Sequence, residues 1–140
     1  MATTTATITL ASSDIADNAL SISNTMTLTT AGTSTGITET TGLARVKMAS
    51  TTLTDLITVA NIAGFGAGAS AKVYIKNTGT DSSKYALIGN GNSGGTPTNI
   101  GRLYGGDWMF FPWDGNSGED ITIDMSDSTE TIIEYMVFFE

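Results

Sequence analysis

An all-β fold is predicted: a single antiparallel β-sandwich or jelly-roll-like domain of about nine or ten short strands, covering residues 1–140. Three observations predict it. Apolar and polar residues alternate with period two along most of the chain. Threonine, which suits a pleated, half-buried surface, dominates the first sixty residues. Clusters of Gly, Asn, Asp and Ser break the runs at the spacing of sandwich or barrel turns. A 140-residue chain fits one domain, and area scaling allows roughly two thirds of its surface to be buried.

The elements follow in order. "TATITLAS" sets Ala6, Ile8 and Leu10 on one face, and "ALSISNTMTLTT" does the same with Leu20, Ile22, Met26 and Leu28. Residues 1–36 are Thr-rich and read as the first strands or as an extended arm. "SSDIADN" between the two runs is compatible with one helical turn. "GLARVKMAS" separates Ala44, Val46 and Met48 from Leu43, Arg45 and Lys47. "TTLTDLITVANIAG" is ambiguous. Leu53, Leu56, Ile57, Ala60 and Ala63 approach helical spacing, with Thr52 and Asp55 as a capping box, yet the β-branched content favours a strand. "AKVYIKN" opposes Val73 and Ile75 to Lys72, Tyr74 and Lys76. "KYALIGN", "NIGRLY", "DWMFFPW", "EDITIDMS" and the final "ETIIEYMVFFE" supply the remaining strands.

Composition excludes several chemistries. With no Cys and no His, the chain has no disulfide, thiolate or imidazole metal site, cysteine nucleophile or Ser–His triad. Fourteen acids against six basic residues give a net charge of −8, and the basic residues are scattered in sequence. That argues against a nucleic-acid backbone or an anionic membrane as partner. "MATTTATITLASSD" lacks the marks of a signal peptide, and no run reaches the ~18 apolar residues that span a bilayer. An aqueous, cytoplasmic place of synthesis is expected.

Two glycine runs imitate nucleotide motifs. "GNGNSG" (Gly89 to Gly94) matches G-x-G-x-x-G, but "GTPTNIGRLY" follows it, so the helix that would receive a pyrophosphate cannot start. "GFGAGASA" (Gly64 to Ala71) leads straight into a strand. Both read as loops, and no cofactor is expected. "DGNSGED" offers Asp114, Asn116, Glu119 and Asp120 as calcium ligands, without EF-hand spacing; an ordinary turn is the plainer expectation. Asp107 beside Trp108 and Asp114 after Trp113 are the nearest approach to a sugar-stacking pattern.

"DWMFFPW" is apolar on both faces, with Trp108, Phe110 and Pro112 on one and Met109, Phe111 and Trp113 on the other. Pro112 marks an edge strand or a bulge. Trp108 is expected in the core, and Met109, Phe111 and Trp113 are candidates for a subunit contact, with Trp113 at its rim. "TIIEYMVFF" is also apolar on both faces and is expected to form a central strand. Two such strands exceed the needs of one thin core, so self-association is expected.

Four segments also carry a resemblance. "TTGLARVKMAS", "KVYIKNTGTDSSKY", "IGRLYGGDWMFFPWDG" and "TIIEYMVFFE", in that order over about residues 37–140, resemble small virion structural proteins of tailed phages infecting marine cyanobacteria. The first 36 residues share only their threonine content, and "GNGNSGGTPTN" is longer and richer in glycine than the resemblance implies. The resemblance implies a non-enzymatic place in a particle. The expected role is a head decoration or cement protein, a homotrimer on the outer surface of the major capsid protein. A tail, neck or fibre-base component is the alternative, and a carbohydrate-binding module a weaker one.

Overall fold

A computed structural model describes residues 3–15, 19–30, 32–65, 70–115 and 119–140. The described residues hold eleven strands, one 3-10 turn and no α-helix. The strands are β1 (Thr5–Ser12), β2 (Leu20–Thr27), β3 (Glu39–Thr40), β4 (Ala44–Met48), β5 (Thr54–Ile57), β6 (Ser70–Asn77), β7 (Tyr85–Asn90), β8 (Thr98–Tyr104), β9 (Trp108–Asp114), β10 (Ile121–Met125) and β11 (Thr131–Phe139). The count slightly exceeds the expected nine or ten. No helix among the described residues is long and apolar enough to cross a membrane.

The chain divides into two compact units, Met1–Thr38 and Glu39–Glu140. The first is built on the β1–β2 hairpin, paired from Thr5↔Thr27 to Ser12↔Leu20. Ala6, Ile8 and Leu10 lie opposite Met26, Asn24 and Ile22, as the alternation predicted. The other face is a hydroxyl ladder, with Thr7 and Thr25 Oγ1 atoms 2.8 Å apart. Of the expected helical turn, Ser12 Oγ accepts from the amides of Asp14 and Ile15 at 3.3 and 3.2 Å; residues 16–18 lie outside the described residues.

The second unit is an antiparallel β-sandwich. One sheet has the order β5-β10-β7-β8 and the other β3-β11-β6-β9, with β4 also pairing β11. β3 and β4 share one flank of β11, pairing Phe138–Phe139 and Thr131–Tyr135 respectively. Gly42, at φ 71°, joins them in a conformation that glycine adopts without strain. Strand β11 is therefore central and paired on both sides, as expected for "TIIEYMVFF".

The core lies between the sheets. Ala71, Val73 and Ile75 of β6, Ile121 and Ile123 of β10, and Ile133 and Val137 of β11 are completely buried. Lys72, Tyr74 and Lys76 take the opposite face of β6, where a lysine ammonium keeps its water. The ambiguous segment forms a strand, Thr54–Ile57, and then a single 3-10 turn, Val59–Asn61. Asp55 caps nothing there. Its carboxylate accepts instead from Ser93 N and Oγ at 2.7 and 2.9 Å.

One expectation is reversed. Trp113 is in the core at 4 % exposure, and Trp108 is at the surface at 51 %. Register is the cause. Trp113, Phe111 and Met109 pair with Ala71, Val73 and Ile75, the buried side of β6, so all three expected contact residues turn inward. Trp113 stacks on Phe65 at 5.5 Å and donates from Nε1 to Glu119 O at 2.8 Å. Pro112 does lie on an edge strand, where a missing N–H costs no ladder bond.

Candidate functional site

The outer face of the five-stranded sheet is built by three neighbouring strands, β9, β6 and β11. Register places Pro112, Lys72 and Phe138 in one row, Phe110, Tyr74 and Met136 in the next, and Trp108, Lys76 and Glu134 in the third. Phe110 meets Phe138 edge-on at 6.3 Å, and Tyr74 lies 6.5 Å from Trp108. Trp108 at 51 % and Ile132 at 39 % are open to solvent. The outward-facing Tyr74, Phe110, Met136 and Phe138 are half-buried and do not belong to the core.

Four of the six basic residues border these rings: Arg45, Lys47, Lys72 and Lys76. Arg45 Nε pairs with Glu134 at 2.7 Å and Lys47 with Glu130 at 2.8 Å. Glu130 raises the Lys47 ammonium pKa, chiefly through its hydrogen bond. Among the described residues, Lys72 and Lys76 enter no ion pair. Burial, reinforced by the Glu134 charge, pushes the Tyr74 phenol upward, so it stays neutral. Four cations meet Glu130, Glu134 and, at the end of β9 beyond Pro112, Asp114 on this face. Such a face can hold an apolar surface by its rings and acidic groups by its lysines.

The outer face of the four-stranded sheet differs. Thr122 of β10 is fully buried there, opposite Gly89. The β7–β8 loop, residues 91–97, folds back over it: a Cβ on Gly89 would meet Thr122 Oγ1 at 2.7 Å and Pro97 Cβ at 3.5 Å. Asp55 holds Ser93, and Asp120 Oδ2 accepts from Asn92 Nδ2 at 3.2 Å. The glycines of "GNGNSG" thus permit close packing of a loop that runs into β8. The buried Thr122 Oγ1 and Asp124 Oδ1 have no hydrogen-bond partner among the described residues.

The proposed calcium ligands do not converge. Asp120 is buried, with Oδ1 accepting from Val59 N at 2.8 Å and Oδ2 from Asn92. Glu119 accepts from Asn90 Nδ2, Asp114 is exposed, and Asn116 lies outside the described residues. No group of three metal-ligating side chains occurs among the described residues.

A depression of about 370 Å³ lies where the turn after β6 meets the turn before β11. Lys84 dominates it, pairing with Asp127 at 2.8 Å and donating to Thr129 Oγ1 at 2.7 Å. The Lys84 hydrogen bond lowers the Asp127 pKa, and hydrogen bonds from Ser83 lower that of Asp81. These groups satisfy one another and present no free reactive atom.

Sequence reasoning set Tyr74 on the lysine side of its strand but missed Phe110, Met136 and Phe138 as its surface neighbours. The available signal was the lysine pair in "KVYIK": whatever lies beside Lys72 and Lys76 across a ladder must share the solvent side. No protein-family model matches the chain, nor does any characterised protein or solved structure, so the phage resemblance rests on the four quoted segments.

Proposed function

We propose that the chain is a non-enzymatic structural protein of a tailed-phage virion, a decoration protein that self-associates, as a homotrimer, on the outer capsid surface. The observation that carries an assembly role is the aromatic outer face of the five-stranded sheet. Exposed apolar patches of this kind are rare on monomers and mark protein contacts. Trp, Tyr, Phe and Met are among the residues enriched at interface centres. The head, and the major capsid protein as partner, come from the sequence resemblance. Antibody labelling of purified particles under the electron microscope tests this role. Label spread over the head supports it. Label confined to the neck or fibre base replaces it with a tail component, and absence from the particle overturns it.

The same face favours a second reading. Trp108 and Tyr74, side by side on an open sheet, could stack sugar rings, as a carbohydrate-binding module does. A glycan screen that finds a ligand whose binding is lost in Trp108→Ala would put that reading first.

A further inference from the structure

Each copy carries two uncovered apolar surfaces of different shape. One is the aromatic outer face. The other is the aliphatic side of the β1–β2 hairpin, where Ile8, Leu10, Ile22 and Met26 are 40, 52, 41 and 45 % exposed. No described residue within either hairpin strand is buried. A lone two-stranded ribbon is marginal in water and gains its stability by laying its apolar side on something else.

We propose that the β1–β2 hairpin of one copy seats its aliphatic side on the aromatic outer face of a second copy, leaving its hydroxyl ladder toward water. Dimensions match. At ~3.3 Å per residue, strands of about eight residues run ~26 Å, and the receiving strands have seven to nine residues. Two hairpin strands can lie along the groove lines of three neighbouring strands, as in sheet-on-sheet packing. Charge matches as well. Residues 1–38 contain Asp14 and Asp17 and no Lys or Arg, while the receiving face offers Lys72 and Lys76, which enter no ion pair among the described residues. The symmetric alternatives are disfavoured. Face against face would bring the lysines of two copies together, and hairpin against hairpin would leave the aromatic rings uncovered.

The contact is heterologous: each copy gives one hairpin and receives one. Closing it into a small ring leaves no hairpin unseated. A trimer would satisfy this closure. The proposal rests on the assembly reading above but not on a place in a virion.

The cysteine-free chain makes the test direct. Full-length Leu10→Cys and Phe110→Cys chains, carrying different affinity tags, are mixed and treated with a short bis-maleimide. The expected result is a mixed Leu10→Cys/Phe110→Cys product several-fold more abundant than either like–like product. Sedimentation should show association of the unmodified chain. Leu10→Asp combined with Ile22→Asp should weaken that association about tenfold or more, with the thermal melt of the sandwich unchanged.

Like–like products in equal or greater yield would overturn the proposal. So would a doubly substituted chain that links only within itself, or an unmodified chain that stays monomeric throughout. If the chain associates without the mixed product, the hairpin contact is lost while the assembly reading stands. If the mixed product forms but the protein is absent from purified particles, the virion reading is lost and the hairpin contact stands.

Discussion

The two outer faces of the sandwich are handled in opposite ways. On the four-stranded sheet the polar part around Thr122 and Gly89 is roofed by the chain's own loop, held by Asp55 and Asp120, while Tyr85, Tyr104 and Arg102 pack together further along β7 and β8. On the five-stranded sheet Trp108 stands open beside the half-buried rings of Tyr74, Phe110 and Phe138, among four cations. Burying apolar area is the dominant favourable term in folding. A loop of this length could shield rings at least as usefully as a threonine. Instead it covers the polar side of Gly89 and Thr122, and Trp108 stays exposed.

The largest test of this contrast uses the two tryptophans of β9. Trp113→Ala removes a buried ring, its stacking on Phe65 and its hydrogen bond to Glu119 O. A loss of about 3–5 kcal/mol is expected in chemical denaturation. Trp108→Ala, on the open face, should stay within about 0.5 kcal/mol. Equal losses would mean that the open face is part of the folding core.

Next come the restraints on the roofed face. Asp55→Ala strands Ser93 N and Oγ. Hydrogen bonds to a charged group contribute about 1.5–3 kcal/mol, and partial exposure places this pair near the lower end. Gly89→Ala should cost about 1–3 kcal/mol by overpacking, because its methyl would press on Thr122 Oγ1 at 2.7 Å and Thr98 O at 3.3 Å. If both variants melt like the unmodified chain, the loop is not a roof that matters to stability.

A smaller effect on folding, with a large one on assembly, is expected from Trp108→Ser combined with Phe110→Ser. Sedimentation should shift toward monomer while the melting temperature changes little. The smallest effect is that of pH. Asp81 and Asp127 have folded pKa values below those of the unfolded chain, so their contribution is present above the ordinary carboxylate range. It is lost as pH falls through the lowered folded values. Both are exposed, so the melting temperature should be level from neutral pH down to about 5 and dip only slightly below about 4 on their account. Lys84→Met should remove most of Asp127's share of that dip and leave Asp81's, which comes chiefly from Ser83.

Much of the fold was legible because period two is a local property. Val73 and Ile75 against Lys72 and Lys76, or Ala6, Ile8 and Leu10 against their threonines, identify strands and their two faces without any knowledge of neighbours. "TIIEYMVFF" is central as expected, but the equally doubly apolar "DWMFFPW" is an edge strand, so two apolar faces alone do not separate centre from edge. "DWMFFPW" was legible only in part. Alternation sorted its residues into two sets, but both sets are apolar, so nothing local said which set faced inward. The choice came from pairing with β6, where Ala71, Val73 and Ile75 are buried and the lysines cannot be.

The sequence by itself therefore determined the all-β class, the strand faces and the loop nature of "GNGNSG", because each follows from residue type and spacing; residues 66–69 of "GFGAGASA" lie outside the described residues. The tertiary structure alone decided three other things. It set which tryptophan is core, gave Asp55 and Asp120 their work as loop anchors, and gathered cations scattered from residue 45 to residue 76 onto one aromatic sheet face. These depend on register between strands far apart in the chain. A one-residue slip in that register exchanges the two faces, and no local pattern records which alignment wins.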